Sequence, residues 1–267
     1  MIYPEGVVDI FFTLITGASM GIGEAFAREF AARGHNLVLV ARSREKLQIL
    51  ADQLCRERGI RVEVCVEDLS HVDAAVSVYE FCSQLHIKID FLVNCAGLSQ
   101  AGYFDDIPMG KLDDIMMVNV MAVAKLTRLF LPGMVARRQG NIINIASLGG
   151  LQGVPGLGLY SASKAFVITL SESLYMELKN KGIHVLVVCP GFITTGFFDH
   201  AGHNVTKIRL PLSGVDVVVQ AVMRGLSNNR IRIYPTLLDA ILVFLQRFAS
   251  RKTAVRLAGY FAAVNDD

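Results

Sequence analysis

Short apolar runs alternate along this chain with longer stretches in which apolar residues recur at helical spacing. The runs Val7–Thr16, Asn36–Ala41, Arg61–Val66, Ile89–Val93, Asn141–Ala146 and Ile183–Val188 are rich in Val, Ile, Leu and Phe. Continuous runs of that kind predict strands buried on both faces. Between them, Glu24–Arg33, Glu45–Arg58, about Val72–His86, Met109–Arg138 and the stretch through Tyr160 to about Asn180 predict helices. Gly34, just past the first helix, suits a closing residue with positive φ. Strand and helix alternate without a linker, which predicts an α/β chain: one doubly wound parallel sheet spanning residues 1–267, with ligands at the C-terminal ends of its strands. Residues 236–267 follow the last predicted strand as a C-terminal helical extension. There Leu237, Leu238, Ile241, Leu242, Leu245 and Phe248 recur at helical spacing, and Arg247, Arg251, Lys252 and Arg256 follow closely.

Composition narrows the choices. A chain of 267 residues can bury a sizeable core as one large domain. Hydrophobic residues make up 52% and mean hydropathy is +0.44, yet no uninterrupted apolar run reaches the ~18–20 residues of a membrane span. Met1–Glu5 lacks a basic n-region and an apolar h-region, so no secretory signal is expected. A net charge of +2 with both signs mixed gives no reason to expect a nucleic-acid partner. Cys55, Cys65, Cys82, Cys95 and Cys189 are odd in number and scattered, and read as reduced cysteines of a cytoplasmic protein. His200 and His203 lack a carboxylate companion at ligand spacing, so they read as loop residues and no metal site is expected.

The first strand ends in Thr16-Gly17-Ala18-Ser19-Met20-Gly21-Ile22-Gly23, and a helix follows. Glycines let backbone approach a pyrophosphate, and a helix N-terminus turns free N–H groups and positive dipole toward it. A glycine turn between strand and helix in a βαβ unit marks a Rossmann fold that binds a dinucleotide. A carboxylate at the end of the second strand would hold a ribose 2′-hydroxyl. This chain has Ala41 there, followed by Arg42-Ser43-Arg44, and arginine accommodates a 2′-phosphate. The cofactor expected is therefore NADP(H).

Tyr160 and Lys164 are four residues apart, one above the other on a helix. An ammonium held beneath a phenol favours the phenolate and lowers a pKa that starts near ~10. A tyrosine tuned in that way can give or take a proton near neutral pH. Ser147, at the end of the fifth predicted strand, precedes Tyr160 by 13 positions (160 − 147).

These signals together resemble the short-chain dehydrogenase/reductase family over roughly Val7 to Pro235. They are the Thr16-Gly17-x3-Gly21-x-Gly23 turn, Asp68-Leu69, Asn94-x-Ala96-Gly97, Asn119, Ser147, Tyr160-x3-Lys164 and Pro190-Gly191-x3-Thr195. The resemblance implies that Tyr160 donates a proton to a carbonyl oxygen as hydride arrives from the nicotinamide, or removes it in reverse. Lys164 would lower the Tyr160 pKa and hold the nicotinamide ribose, and Ser147 would hydrogen-bond the substrate oxygen. Asn119 would bind a water linking Lys164 to solvent, or else cap buried backbone. Gly17, Ser19, Met20, Gly21, Ile22 and Gly23 would cradle the phosphates, with Arg42 and Arg44 at the 2′-phosphate. Asp68 and Leu69 would flank adenine. Asn94, Ala96 and Gly97 would line the cofactor, and Pro190, Gly191, Ile193 and Thr195 would lie at the nicotinamide. Two positions depart from the family pattern: Cys95 stands where a second Asn is usual, and Met20 where some NADP-preferring members are basic.

Leu148–Leu159 is uncharged and Gly-rich, and Phe192, Phe197 and Phe198 follow the Pro190-Gly191 turn. Apolar flanks without a cation to clamp an anion predict a small apolar ketone, aldehyde or alcohol as substrate; packing into the core or an oligomer interface is the other use of these phenylalanines. The resemblance also implies a homodimer or homotetramer built through the helices after Asn94 and around Tyr160. The basic amphipathic C-terminal stretch can lie on a membrane surface or be buried against protein. Two other functions fit less well. Epimerases and dehydratases that share Tyr-x3-Lys are longer and space their glycines differently, and non-catalytic cofactor-binding relatives lose the Ser or Tyr kept here.

Overall fold

A computed structural model describes residues 11–264; the predicted residues 7–10 of the first strand lie outside them. The elements in chain order are β1 (Phe11–Thr16), α1 (Gly21–Ala32), β2 (Asn36–Ala41), α2 (Arg44–Arg58), β3 (Val62–Val66), α3 (Ala74–Gln84) and β4 (Lys88–Asn94). Then come α4 (Met109–Met116), α5 (Val123–Arg137), β5 (Gly140–Ile145), α6 (Gly158–Leu178), β6 (Ile183–Val188), α7 (Phe197–His200) and α8 (Val215–Ser227). The short β7 (Arg232–Ile233), α9 (Leu237–Gln246) and α10 (Arg251–Ala262) complete the described chain.

The strands form one parallel sheet in the order β3-β2-β1-β4-β5-β6-β7. The doubly wound Rossmann architecture predicted from the alternation is the one observed. Its core follows the two-residue period of a strand. Leu14, Val38, Val40, Ile142 and Val185 point to one face, against Val78 of α3 and Leu126, Phe130 and Met134 of α5. Their neighbours Ile15, Leu37, Leu39, Ile143 and Leu186 point to the other, against Phe26 and Phe30 of α1, Leu47 and Leu54 of α2 and Val218 and Val222 of α8. Both faces are covered, which is why these strands read as unbroken apolar runs. The five cysteines are free.

Three predicted features are corrected. The helix Met109–Arg138 is interrupted by a π-helical turn, Met117–Ala122, that carries Asn119. The same run, Met109–Arg137, is apolar and long enough for a membrane span by composition, contrary to the reading from run length alone, but half of its most apolar window is buried inside the protein. It packs on the sheet through Val118, Ala122, Leu126 and Phe130. The C-terminal basic amphipathic helix is in fact two helices. α9 opens on a capping box in which Thr236 Oγ1 accepts from Asp239 N and the Asp239 carboxylate accepts from Thr236 N. α10 begins afresh after Ser250, whose hydroxyl accepts from Thr253 N. β7 escaped prediction because two residues leave no pattern.

Candidate active site

The C-terminal ends of β1, β2, β4, β5 and β6 open onto one cavity of about 710 Å³. Its floor is the turn between β1 and α1. Gly17 adopts φ +68°, and a Cβ there would sit 2.9 Å from Ala96 Cα. A Cβ on Gly23 would overlap the Gly17 carbonyl. Only glycine permits that packing at either position. Thr16 locks the turn to the end of β4, its hydroxyl accepting from Cys95 N and Ala96 N, each at 3.0 Å. Met20, the residue before α1, offers no side-chain cap, so the first N–H groups of that helix stay open. Gly17, Ser19, Met20, Gly21, Ile22 and Gly23 all line the cavity.

At the β2 end the wall holds Ala41, Arg42, Ser43 and Lys46, faced by Glu67, Asp68 and Leu69. Arg42 Nη1 is 3.9 Å from Asp68 Oδ2, a loose pair on an exposed side chain. Burial pushes the Asp68 carboxyl upward, but the Ser70 N–H at 3.0 Å and the charges of Arg42 and His71 outweigh it and hold it below the ordinary carboxylate value. Arg44 is exposed and stands outside the wall, because α2 starts at this residue; Ser43 and Lys46 occupy the places expected of it. Ala96, Gly97, Pro190, Gly191, Ile193 and Thr195 line the cavity as expected. Asn94 does not. It is buried beneath, its amide donating to Asn144 Oδ1 at 2.8 Å and Thr127 Oγ1 at 3.3 Å, and Cys95 takes its place at the surface.

Ser147, Tyr160 and Lys164 meet at the centre. Ser147 caps a short turn, its hydroxyl accepting from Gly149 N at 3.1 Å. Lys164 is buried, and its Nζ donates to Ile145 O at 2.9 Å while standing 5.7 Å from the centre of the Tyr160 ring. Burial lowers the Lys164 pKa to about 8, with Cys95 and Cys189 pulling it back upward. Burial raises Tyr160 to about 12, opposed by a side-chain hydrogen bond with Ser147. The expectation that Lys164 depresses the Tyr160 pKa is thus not what this geometry shows, since the ammonium is directed at a backbone carbonyl and the phenol is desolvated.

Asn119 stands behind this centre, outside the wall. Its Oδ1 accepts from Leu98 N and its Nδ2 donates to Leu98 O, both at 2.8 Å, and Nδ2 also reaches Ser163 Oγ at 2.9 Å. The side chain caps this backbone and clasps the loop after β4 to α6.

Beyond Tyr160 the cavity turns apolar. Leu148, Leu151, Val154 and Leu157 line one side and Phe192, Phe197 and Phe198 the other. The Tyr160 and Phe197 rings lie 5.8 Å apart. The wall also includes Leu242, Val243 and Leu245 of α9 and Leu257 and Phe261 of α10, residues whose helical period was legible but whose inward face was not. Hydrogen bonds tie these helices to the rim: Gln246 to Gln152 at 3.0 Å, Arg251 to Leu151 O at 3.3 Å, and the His203 ring to Ala262 O at 2.8 Å. His203, read from sequence as a loop residue, is buried at this seam, where burial lowers its pKa despite that bond. Among the described residues, every charged side chain lining the cavity other than Lys164 belongs to the β2–β3 end.

The glycine turn, the open helix end and the Ser–Tyr–Lys centre define a dinucleotide-dependent oxidoreductase. The short chain dehydrogenase family model matches residues 12–206. The chain belongs to that family. The very-long-chain 3-oxoacyl-CoA reductase of Anas platyrhynchos is 40% identical over 190 residues, covering 69% of this chain and 60% of the relative. The chain spans about 60% of the length of the first such relatives it matches. A short-chain dehydrogenase from Sphingobium yanoikuyae in complex with NADPH is 33% identical, with TM-score 0.80 over 90% of this chain and 94% of that one. Another from Burkholderia phymatum in complex with NAD is 28% identical, with TM-score 0.77 over 90% and 94%.

Proposed function

We propose that this protein is an NADP(H)-dependent reductase of bulky or long-chain apolar ketones, run in reverse as an alcohol dehydrogenase. The observation that carries the substrate class is the apolar end of the cavity, where Leu151, Val154, Phe192, Phe197, Leu242 and Phe261 surround the space beyond Tyr160 without a charged group. A carboxylate or phosphate there would lie unpaired in a desolvated site, a cost of several kcal/mol. An acyl chain or a fused ring would gain roughly 25 cal/mol for each Å² it buries. The similarity to a very-long-chain 3-oxoacyl-CoA reductase supports the same class.

The cofactor, when bound, supplies or accepts the hydride. The residues fit it: the close backbone packing at Gly17 and Gly23 fixes the turn so that the open end of α1 presents N–H donors to the cavity, where a pyrophosphate would sit. Arg42 with Lys46 beside it, and Ala41 where a carboxylate would select a 2′-hydroxyl, supports NADP(H). Tyr160, protonated because burial raises its pKa to about 12, donates its proton to the carbonyl oxygen. Ser147 donates a hydrogen bond to the same oxygen as negative charge builds. Lys164 keeps a positive charge behind the phenol up to about pH 8 and offers its remaining N–H groups to a ribose hydroxyl. Asn119 holds Leu98 and Ser163 so that α6 presents Tyr160 at a constant angle.

The same reading gives a homodimer or homotetramer in the cytoplasm. Met109, Met121, Phe166 and Met176 are exposed on the helical run after β4 and on α6, and they suit a subunit interface. The test of function is NADPH oxidation with ketones graded by chain length and charge. The expected result is kcat/KM rising with apolar length, and faster turnover of short anionic ketones would overturn the substrate class.

A further inference from the structure

The outer face of α9 is unlike the rest of the surface. Leu237 is 78% exposed and Phe248 77%, and Ile241, Phe244 and Leu245 lie exposed between them on one side of the helix. Single exposed apolar residues are ordinary, but five in a row on one helix make a contact surface. The Phe244 and Phe248 rings pack edge to face at 5.4 Å. α10 extends the face with Leu257 and Tyr260. Around it stand Arg247, Arg251, Lys252 and Arg256, all exposed. None of the four has a carboxylate partner among the described residues. The one acidic residue between 237 and 264 is Asp239, which is buried and held in the α9 capping box; Asp266 and Asp267 lie outside the described residues.

We propose that α9 and α10 seat this protein on an anionic lipid bilayer, with Leu237, Phe244 and Phe248 dipping into the headgroup boundary and the four cations on lipid phosphates. Charge decides between occupants. A second copy related by a two-fold axis would bring this cluster of cations against itself, with no exposed acid on the described part of either helix to offset it. An apolar face rimmed by Lys and Arg is the composition of helices that lie in a membrane interface, and anionic headgroups supply the missing countercharge. The position of the face gives the docking a use. The inner sides of the same two helices, through Leu242, Val243, Ala258 and Phe261, wall the apolar end of the cavity, and Leu245 and Leu257 span from that wall to the outer face. Lipid would thus lie one helix away from the substrate space, and a ketone dissolved in the bilayer would have a short path to Tyr160. That use rests on the apolar substrate proposed above, whereas the docking itself does not.

The test is sedimentation of the intact protein with phosphatidylcholine vesicles, with or without phosphatidylglycerol. The protein should pellet with the anionic vesicles and far less with the neutral ones, and raised salt should release it. A variant carrying Leu237→Ser, Phe244→Ser and Phe248→Ser should lose about tenfold or more in vesicle partition. Its thermal midpoint should stay unchanged, because these side chains are already in water. Replacing Arg247 and Lys252 by Gln should cost roughly 25-fold, about fivefold per cation. Wild-type protein left in the supernatant with anionic vesicles would overturn the proposal, as would pelleting that neither variant reduces. So would a serine variant that binds vesicles like wild type but falls from oligomer to monomer in light scattering, which would make a second copy the occupant. Sedimentation needs no turnover. An inactive protein that pellets therefore counts against the reductase reading alone, and an active one that stays in solution counts against docking alone.

Discussion

At one end of the cavity the wall is mostly backbone, and at the other it is mostly apolar side chain. The β1–α1 turn presents the open N–H groups of α1, held in place by close backbone packing that only glycine allows at Gly17 and Gly23, with Arg42 and Lys46 adding charge at its edge. The far end is assembled from the loop after β5, the loop after β6, and α9 and α10, with few polar groups and none charged. The first kind of wall tolerates almost no substitution, because a methyl group at Gly23 overlaps a carbonyl that cannot move without moving β1. The second can change shape residue by residue while the fold persists. On the proposed function, holding the cofactor falls to the first end and the choice of substrate to the second.

This contrast can be broken at its boundary or sharpened at either end. The largest effect should come from Tyr160→Phe, which removes the proposed proton donor at the boundary of both ends: kcat for NADPH oxidation should fall about 10²–10⁴-fold while NADPH still quenches or shifts on binding. Loss of cofactor binding instead would make Tyr160 part of the backbone-built end. Next, Arg42→Ala should raise the Kd for NADPH by about tenfold to a hundredfold, the worth of one charge-assisted hydrogen bond or two. The Kd for NADH should hardly move, and equal losses in a fluorescence titration would refute the 2′-phosphate assignment.

A smaller effect should appear in the pH profile. Lys164 is a cation whose pKa is lowered to about 8, so its charge is present below that pH and lost above it. Reduction should therefore decline on the alkaline side with an apparent pKa near 8, approaching about tenfold per pH unit. Tyr160 at about 12 adds no break below that pH, because its acid form persists throughout. A flat profile from pH 7 to about 10 would show that the charge on Lys164 does not limit the rate. The smallest effect belongs to the apolar end. Leu242→Ala should cut kcat/KM for the longest ketones by roughly tenfold and spare short ones, since one buried side chain is worth about 1–3 kcal/mol of discrimination.

The two ends also differed in how far they could be read in advance. The glycine turn, Asp68, Ser147, Tyr160 and Lys164 were legible because each sits at the end of a strand or in the first turns of a helix, where spacing along the chain equals spacing in the site. Asn94 and Arg44 were placed in the wall by the same logic and are not there. Whether a residue at a strand end faces the cavity or the layer beneath depends on pleat and on where the next helix begins. The π-helical turn at Asn119 could not be read at all, because six residues are too few to mark a change of period within a long apolar helical run.

The order of apolar runs and helical periods determined the doubly wound sheet, since strands buried on both faces must be covered by the helices between them. The motifs at the strand ends located the candidate site, although Asn94 and Asn119 lie behind its wall. Only the tertiary structure decided the surroundings of Tyr160 and Lys164, because burial, which pushes the phenol up and the ammonium down, and the direction of that ammonium toward Ile145 O are not encoded in a four-residue spacing. It also decided the two faces of α9 and α10. An amphipathic period says that one side of a helix is apolar, but these helices have apolar residues on both, and which of them wall a cavity and which meet water depends on contacts made nearly a hundred residues away, as between Gln246 and Gln152.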